Sequence, residues 1–134
     1  MNTNLVKVVS LGLLFLSLFI FGFWLSRLGK PYNQILFTIH KLIGLAAGIF
    51  LIIIVIQRNK LVPLHSLEIT AIVSTALILV LTIAAGGLLS IQATGGLGNL
   101  SQGLHLAISR IHRFFPYLAT FSTAATIYLI FFRR

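Results

Sequence analysis

The sequence has no cysteine and only one acidic residue, Glu68. Without thiols there is no route to a disulfide, a thiolate metal site, an iron–sulfur cluster or a covalently attached c-type haem. With no cysteine and a single carboxylate side chain, Cys–His and paired-carboxylate hydrolytic chemistry are excluded as well. Charge of either sign is scarce, at 8% of 134 residues, while 58% are hydrophobic. A soluble domain devotes about a quarter of its residues to charge. This chain cannot cover a water-facing surface, and its composition assigns it to the membrane class.

The net charge of +9 does not make a nucleic-acid face, because no basic stripe interleaved with aromatics is present. The cations sit instead at the ends of apolar runs, where they anchor to lipid headgroups. The opening "MNTNLVKVVSLGLLFLSLFIFGFWLSRLGK" places a lysine before an apolar run, as a signal peptide does. The run is long and no small-x-small cleavage site follows, so it reads as a retained helix.

Four apolar runs are present, Leu5–Leu25, Ile35–Ile56, Leu67–Ser90 and Phe114–Phe132, each near the ~20 residues that cross a bilayer. They must be helices, since an open strand edge leaves backbone groups unpaired in lipid. The fourth helix is expected to start early, capped by Asn99 or Ser101, with "LHLAISRIHR" as an amphipathic lead-in and a span of about 105–132. Ser66 is the expected cap of the third, with Glu68 in its first turn. Gly29 and Pro31 mark the first break, and "QATGGLGNLSQG" is an uncharged, glycine-rich turn. Serines within the apolar helices are expected to bond the carbonyl of the preceding turn. The sequence thus predicts an all-α protein, one transmembrane domain over 1–134, built as an up-down four-helix bundle with spans of about 5–25, 35–56, 67–90 and 105–132.

By count of cations the two membrane sides tie: Lys7, Arg58, Lys60, Arg133 and Arg134 against Arg27, Lys30, Lys41, Arg110 and Arg113. Discounting Lys41, Arg110 and Arg113 as servants of a buried site puts both termini in the cytoplasm, across a cell inner membrane.

Two stretches, "FTIHKLIG" and "AISRIHRFFPYLA", place Ile-His-Lys/Arg beside a long apolar run. His40 precedes Arg58 by 18 residues and His112 precedes Arg133 by 21, about 27 and 31 Å along a helix. With alternating spans, both fall on one side of the membrane at nearly one depth. His105 lies 28 residues before Arg133, about 42 Å away and among the headgroups. It shares a helix face with His112 and is the alternative ligand. His65 belongs to the opposite surface.

Two level imidazoles on different helices suit a bis-histidine b haem. Gly44 and Gly48 follow His40 as a strip without side chains, and Ala119 and Thr120 follow His112. Lys41, Arg110 or Arg113 then stand ready for the propionates. Each feature alone has a plainer reading. A lone histidine can sit at the interface bonded to water or phosphate, Gly44-x-x-x-Gly48 can be a helix-packing face, and the cations can be snorkelling anchors. The joint pattern favours haem, held by His40 and His112.

At "IHKLIGLAAG" and "IHRFFPYLA" the chain resembles small four-helix membrane cytochromes b of the b561-like group. The resemblance implies His40 and His112 as axial ligands and Lys41 and Arg113 as propionate partners. That group typically holds two haems on two histidine pairs, whereas this sequence supplies one matched pair, so one haem b per chain is expected. The function expected is electron transfer, between a quinol pool or membrane enzyme and an external partner, by a carrier rather than a catalyst. The alternative is a cofactor-free accessory or assembly subunit of a larger membrane complex, to which "AAGG" at 84–87 would lend helix contacts. No span carries a central acid, which argues against an ion transporter.

Overall fold

The structure, a computed structural model, describes residues 3–29, 32–96 and 101–133. It consists of four helices, α1 (Thr3–Leu28), α2 (Gln34–Leu61), α3 (Ser66–Ala93) and α4 (Gln102–Phe131), with no strand among the described residues. They are 26 to 30 residues long, or about 39–45 Å at 1.5 Å per residue. That exceeds the ~30 Å hydrocarbon layer, and each contains a stretch apolar enough to cross it. The chain is an all-α, multi-pass membrane protein, and its helices contact lipid. The helices run past the apolar stretches read from sequence because their last turns carry polar residues, such as Arg58 and Lys60 on α2, which belong in the headgroup layer.

The helix ends follow local chemistry. Asn33 Oδ1 accepts the backbone N–H of Ile35 and of Leu36, at 3.0 and 3.1 Å, satisfying two of the orphan donors at the start of α2. Ser101 caps α4, accepting from Leu104 N; the other expected cap, Asn99, lies outside the described residues, as do Lys30, Pro31 and Arg134. At α3 the expected cap is corrected: His65 is the N-cap and Ser66 the first helical residue. Glu68 reaches back to accept the His65 N–H at 2.8 Å. The chain's one acid is thereby held against the positive end of a helix, which favours a carboxylate there. Gly29 and Gly95, at φ of 72° and 78°, supply the left-handed residues that follow α1 and α3.

The chain divides into two compact units, Met1–Leu64 and His65–Arg134. Each is an antiparallel helical hairpin. In the first, Leu11, Phe15 and Leu25 of α1 and Ala47, Leu51 and Ile54 of α2 are buried. In the second, Thr75 and Ala85 of α3 and Ile108, Ala119, Thr123, Thr126, Ile127 and Ile130 of α4 are buried. Outward residues such as Phe23, Leu45, Leu77 and Phe121 remain apolar and exposed, as a lipid-facing surface requires.

Candidate functional site

Within the first hairpin, the imidazole of His40 on α2 lies against the backbone of Gly22 on α1. A Cβ placed on Gly22 would stand 3.1 Å from Cε1, 3.6 Å from Nδ1 and 3.9 Å from Nε2 of that ring. Within the second, His112 on α4 lies against Gly86 on α3, with corresponding distances of 2.7, 3.1 and 3.5 Å. The order of atoms is the same, so both rings turn their Nδ1–Cε1–Nε2 edge to the facing glycine. A distance of 2.7 Å leaves no room for a methyl group, and glycine is what permits the approach.

The two arrangements occupy the same register. Gly22 precedes the end of α1 by six residues and Gly86 the end of α3 by seven, so each glycine lies about 10 Å inside the loop end of its helix. Seven, eleven and fourteen residues after the histidine come Ala47, Leu51 and Ile54 in one hairpin and Ala119, Thr123 and Thr126 in the other, all buried. Eleven residues before the glycine come Leu11 and Thr75, again buried. The hairpins are two copies of one packing scheme, of which the recurring Ile-His-Lys/Arg was the visible part.

His112 has a further constraint. Its Nδ1 lies 3.2 Å from the Thr82 carbonyl oxygen. A carbonyl only accepts, so Nδ1 is the donor in this contact. His105 pairs differently: its Nδ1 is 2.6 Å from Gln92 Oε1, one residue from the end of α3. This is the shallow position that its spacing from Arg133 implies. His65 is exposed at the far end of the second hairpin, in a cleft with Leu67, Glu68, Leu129 and Arg133.

The small residues divide by role. A Cβ on Gly44 would meet Leu18 Cδ2 at 3.6 Å, so Gly44 lies along the α1–α2 contact, whereas a Cβ on Gly48 would meet nothing within 4 Å. The glycines that border the imidazoles are Gly22 and Gly86, on the facing helices, and sequence reasoning passed over both in this role. A glycine interrupting "FIFGFW" was the available signal, since a glycine inside a helix marks a close approach. Lys41, Arg110 and Arg113 are all exposed, and Lys41 Nζ stands 4.2 Å over the Phe37 ring. Lys41 and Arg113 occupy equivalent places, one residue after each histidine.

Among the described residues no three His, Asp or Glu side chains converge as a metal-holding group. A b haem asks the protein for only two donors. Imidazoles fit that demand, and a histidine whose Nδ1–H is engaged by a backbone carbonyl is the usual form of a metal-ligating one. Compared with protein-family models, with curated proteins and with solved structures, the chain matches none.

Proposed function

We propose that the chain is a membrane electron carrier that holds one b-type haem per chain, with His40 and His112 as its axial ligands. The observation that carries this reading is the duplicated histidine-on-glycine element, at one register in both hairpins, with His112 tied through Nδ1. Four spans in alternation start α2 and α4 at the same membrane face, so the two imidazoles share a side. The haem iron would take up and release one electron without making bonds to a substrate.

The protein's own residues then divide the work. His40 and His112 would supply the two imidazole donors, through Nε2 in the case of His112, whose Nδ1 is engaged by the Thr82 carbonyl. Gly22 and Gly86 let the rings seat against the facing helices. Lys41, Arg110 and Arg113, exposed near the histidines, pair with the propionates, and Gly48 leaves space for the ring. His105 is the alternative second ligand. Two histidine ligands would leave no open position for oxygen or peroxide activation, which favours a carrier over an enzyme. A quinol pool or membrane enzyme on one hand and an external redox protein on the other are its partners. Both termini lie in the cytoplasm, the membrane is the cell inner membrane, and the haem lies nearer the side of the glycine-rich loop. The kinship suggested by "IHKLIGLAAG" and "IHRFFPYLA" is to the b561-like group, with one haem in place of two.

The test is pyridine haemochrome quantitation on protein purified after haem-supplemented expression. A ratio near one haem per chain, with a low-spin spectrum, is expected. A ratio near two breaks the single-site reading, and a ratio near zero overturns the haem reading altogether.

One observation favours a second reading, a cofactor-free accessory subunit. Each histidine fills a glycine notch in its own hairpin, and Gly44 closes the α1–α2 contact, so these residues also serve packing. Under that reading, substitution of either histidine impairs assembly with partner subunits whether or not haem is supplied.

A further inference from the structure

The two copies of the hairpin differ sharply at one place. On α4, Ser122, Thr123 and Thr126 face or flank α3, and Thr75 stands opposite them. Thr75 Oγ1 is hydrogen-bonded to Ser122 Oγ and lies 2.9 Å from Thr126 Oγ1. Thr75 and Thr126 are fully buried and Thr123 is 3% exposed. At the equivalent positions of the first hairpin stand Leu11, Phe50, Leu51 and Ile54. The packing scheme therefore works with apolar side chains, and holding two helices together does not explain four hydroxyls.

Two further facts point to an occupant. Thr123 Oγ1 is buried with no hydrogen-bond partner among the described residues, which costs about 1–3 kcal/mol unless something satisfies it. In addition, the cleft lined by His65, Leu67, Glu68, Leu129 and Arg133, about 420 Å³ in volume, opens close by. Glu68 precedes Thr75 by seven residues, nearly two turns, and so lies on the same face of α3. Leu129 follows Thr126 by three residues on α4. The cleft and the hydroxyls are thus about 5–10 Å apart along the hairpin, the length of a chain of about three waters at ~2.8 Å spacing.

We propose that the hydroxyl cluster of Thr75, Ser122, Thr123 and Thr126 is a hydration site inside the membrane span, filled with water that enters from the Glu68 cleft. Its ligand is water, which bonds Thr123 Oγ1 and completes the bonding of the other three hydroxyls. The site does not depend on haem.

Because the chain has no cysteine, a single introduced thiol gives an isolated infrared S–H band, which moves to S–D on transfer into D2O. Thr123→Cys and its apolar counterpart Leu51→Cys are compared in liposomes. The thiol at 123 should exchange at least about tenfold faster, because a dry thiol exchanges only when its hairpin opens. Equal, slow exchange at both positions overturns the site and leaves the hydroxyls as a dry interhelical clamp. Equal, fast exchange overturns it too, since the second hairpin is then no wetter than the first. Thr75→Cys against Leu11→Cys repeats the comparison should either variant at 123 or 51 fail to fold. Adding Glu68→Leu to Thr123→Cys should slow exchange several-fold, and an unchanged rate overturns the cleft as the entry.

Discussion

A methyl group on the α-carbon of Gly86 would stand 2.7 Å from Cε1 of His112, while the equivalent group on Gly22 would stand 3.1 Å from Cε1 of His40. The difference separates two variants of the same chemistry. His112 is also tethered through Nδ1 to the Thr82 carbonyl, so its ring cannot retreat without losing that bond. Replacing glycine by alanine inside a helix gains about 1 kcal/mol in propensity, and overpacking costs about 1–3 kcal/mol. Gly86→Ala should destabilise the protein by up to about 2 kcal/mol, and Gly22→Ala should be near neutral, because a shift of a few tenths of an ångström relieves its contact. Adding His112→Ala to Gly86→Ala should recover part of the loss. Reversible unfolding in mixed micelles, followed by circular dichroism, measures all three.

The spans were legible in the sequence because hydropathy alone decides them. The facing of the helices was not. Helices that are apolar on every side carry no stripe to say which face meets a neighbour, so Gly22 and Gly86 could not be matched to His40 and His112. Hydroxyls show the same limit. Ser17, Thr70, Thr82 and Thr120 bond the carbonyl four residues back, as local chemistry dictates. Thr75, Ser122 and Thr126 bond across the hairpin instead, because the opposite helix offers them partners that the sequence does not reveal. At α3, Ser66 is the better cap by residue type, but the Glu68 carboxylate reaching the His65 N–H sets the start one residue earlier.

That carboxylate leads to a second expectation. Glu68→Ala removes the acceptor for the His65 N–H and should cost about 1 kcal/mol, the usual value of a helix cap. Glu68→Gln keeps an acceptor oxygen in the same place and loses only the favourable charge at the helix end. It should cost less than half as much. Unfolding free energies of the two variants in one detergent decide it, and an equal loss would mean that the charge outweighs the hydrogen bond.

The glycines after His40 should also part company. Gly44→Leu drives an isobutyl group toward Leu18, whose Cδ2 already stands 3.6 Å from a modest Cβ. It should therefore destabilise the first hairpin with or without haem, by about 1–3 kcal/mol. Gly48→Leu meets nothing within 4 Å of its Cβ and should leave the unfolding transition near that of the parent. If the haem lies along this strip, Gly48→Leu should instead lower haem content. Measuring haem occupancy and unfolding on the same samples separates the two effects. Unchanged occupancy in Gly48→Leu would remove that residue from the haem site.

The ligand set is tested by the four histidines together. His40→Ala and His112→Ala should each abolish the low-spin haem spectrum, because neither has a substitute at its depth in its own hairpin. His65→Ala should retain it, since His65 is exposed at the opposite end of the second hairpin. His105→Ala should retain it as well. His105 is held by Gln92 at the last turn of α3, about 10 Å along α4 from His112 at seven residues' rise. Full haem content in His112→Ala together with loss in His105→Ala would transfer the second ligand to His105. A further variant distinguishes ligation from packing. His112→Gln fills much of the same volume beside Gly86 and can still donate to the Thr82 carbonyl through its amide. It should preserve the fold by circular dichroism while losing the low-spin spectrum, whereas a purely structural histidine would leave haem content unchanged.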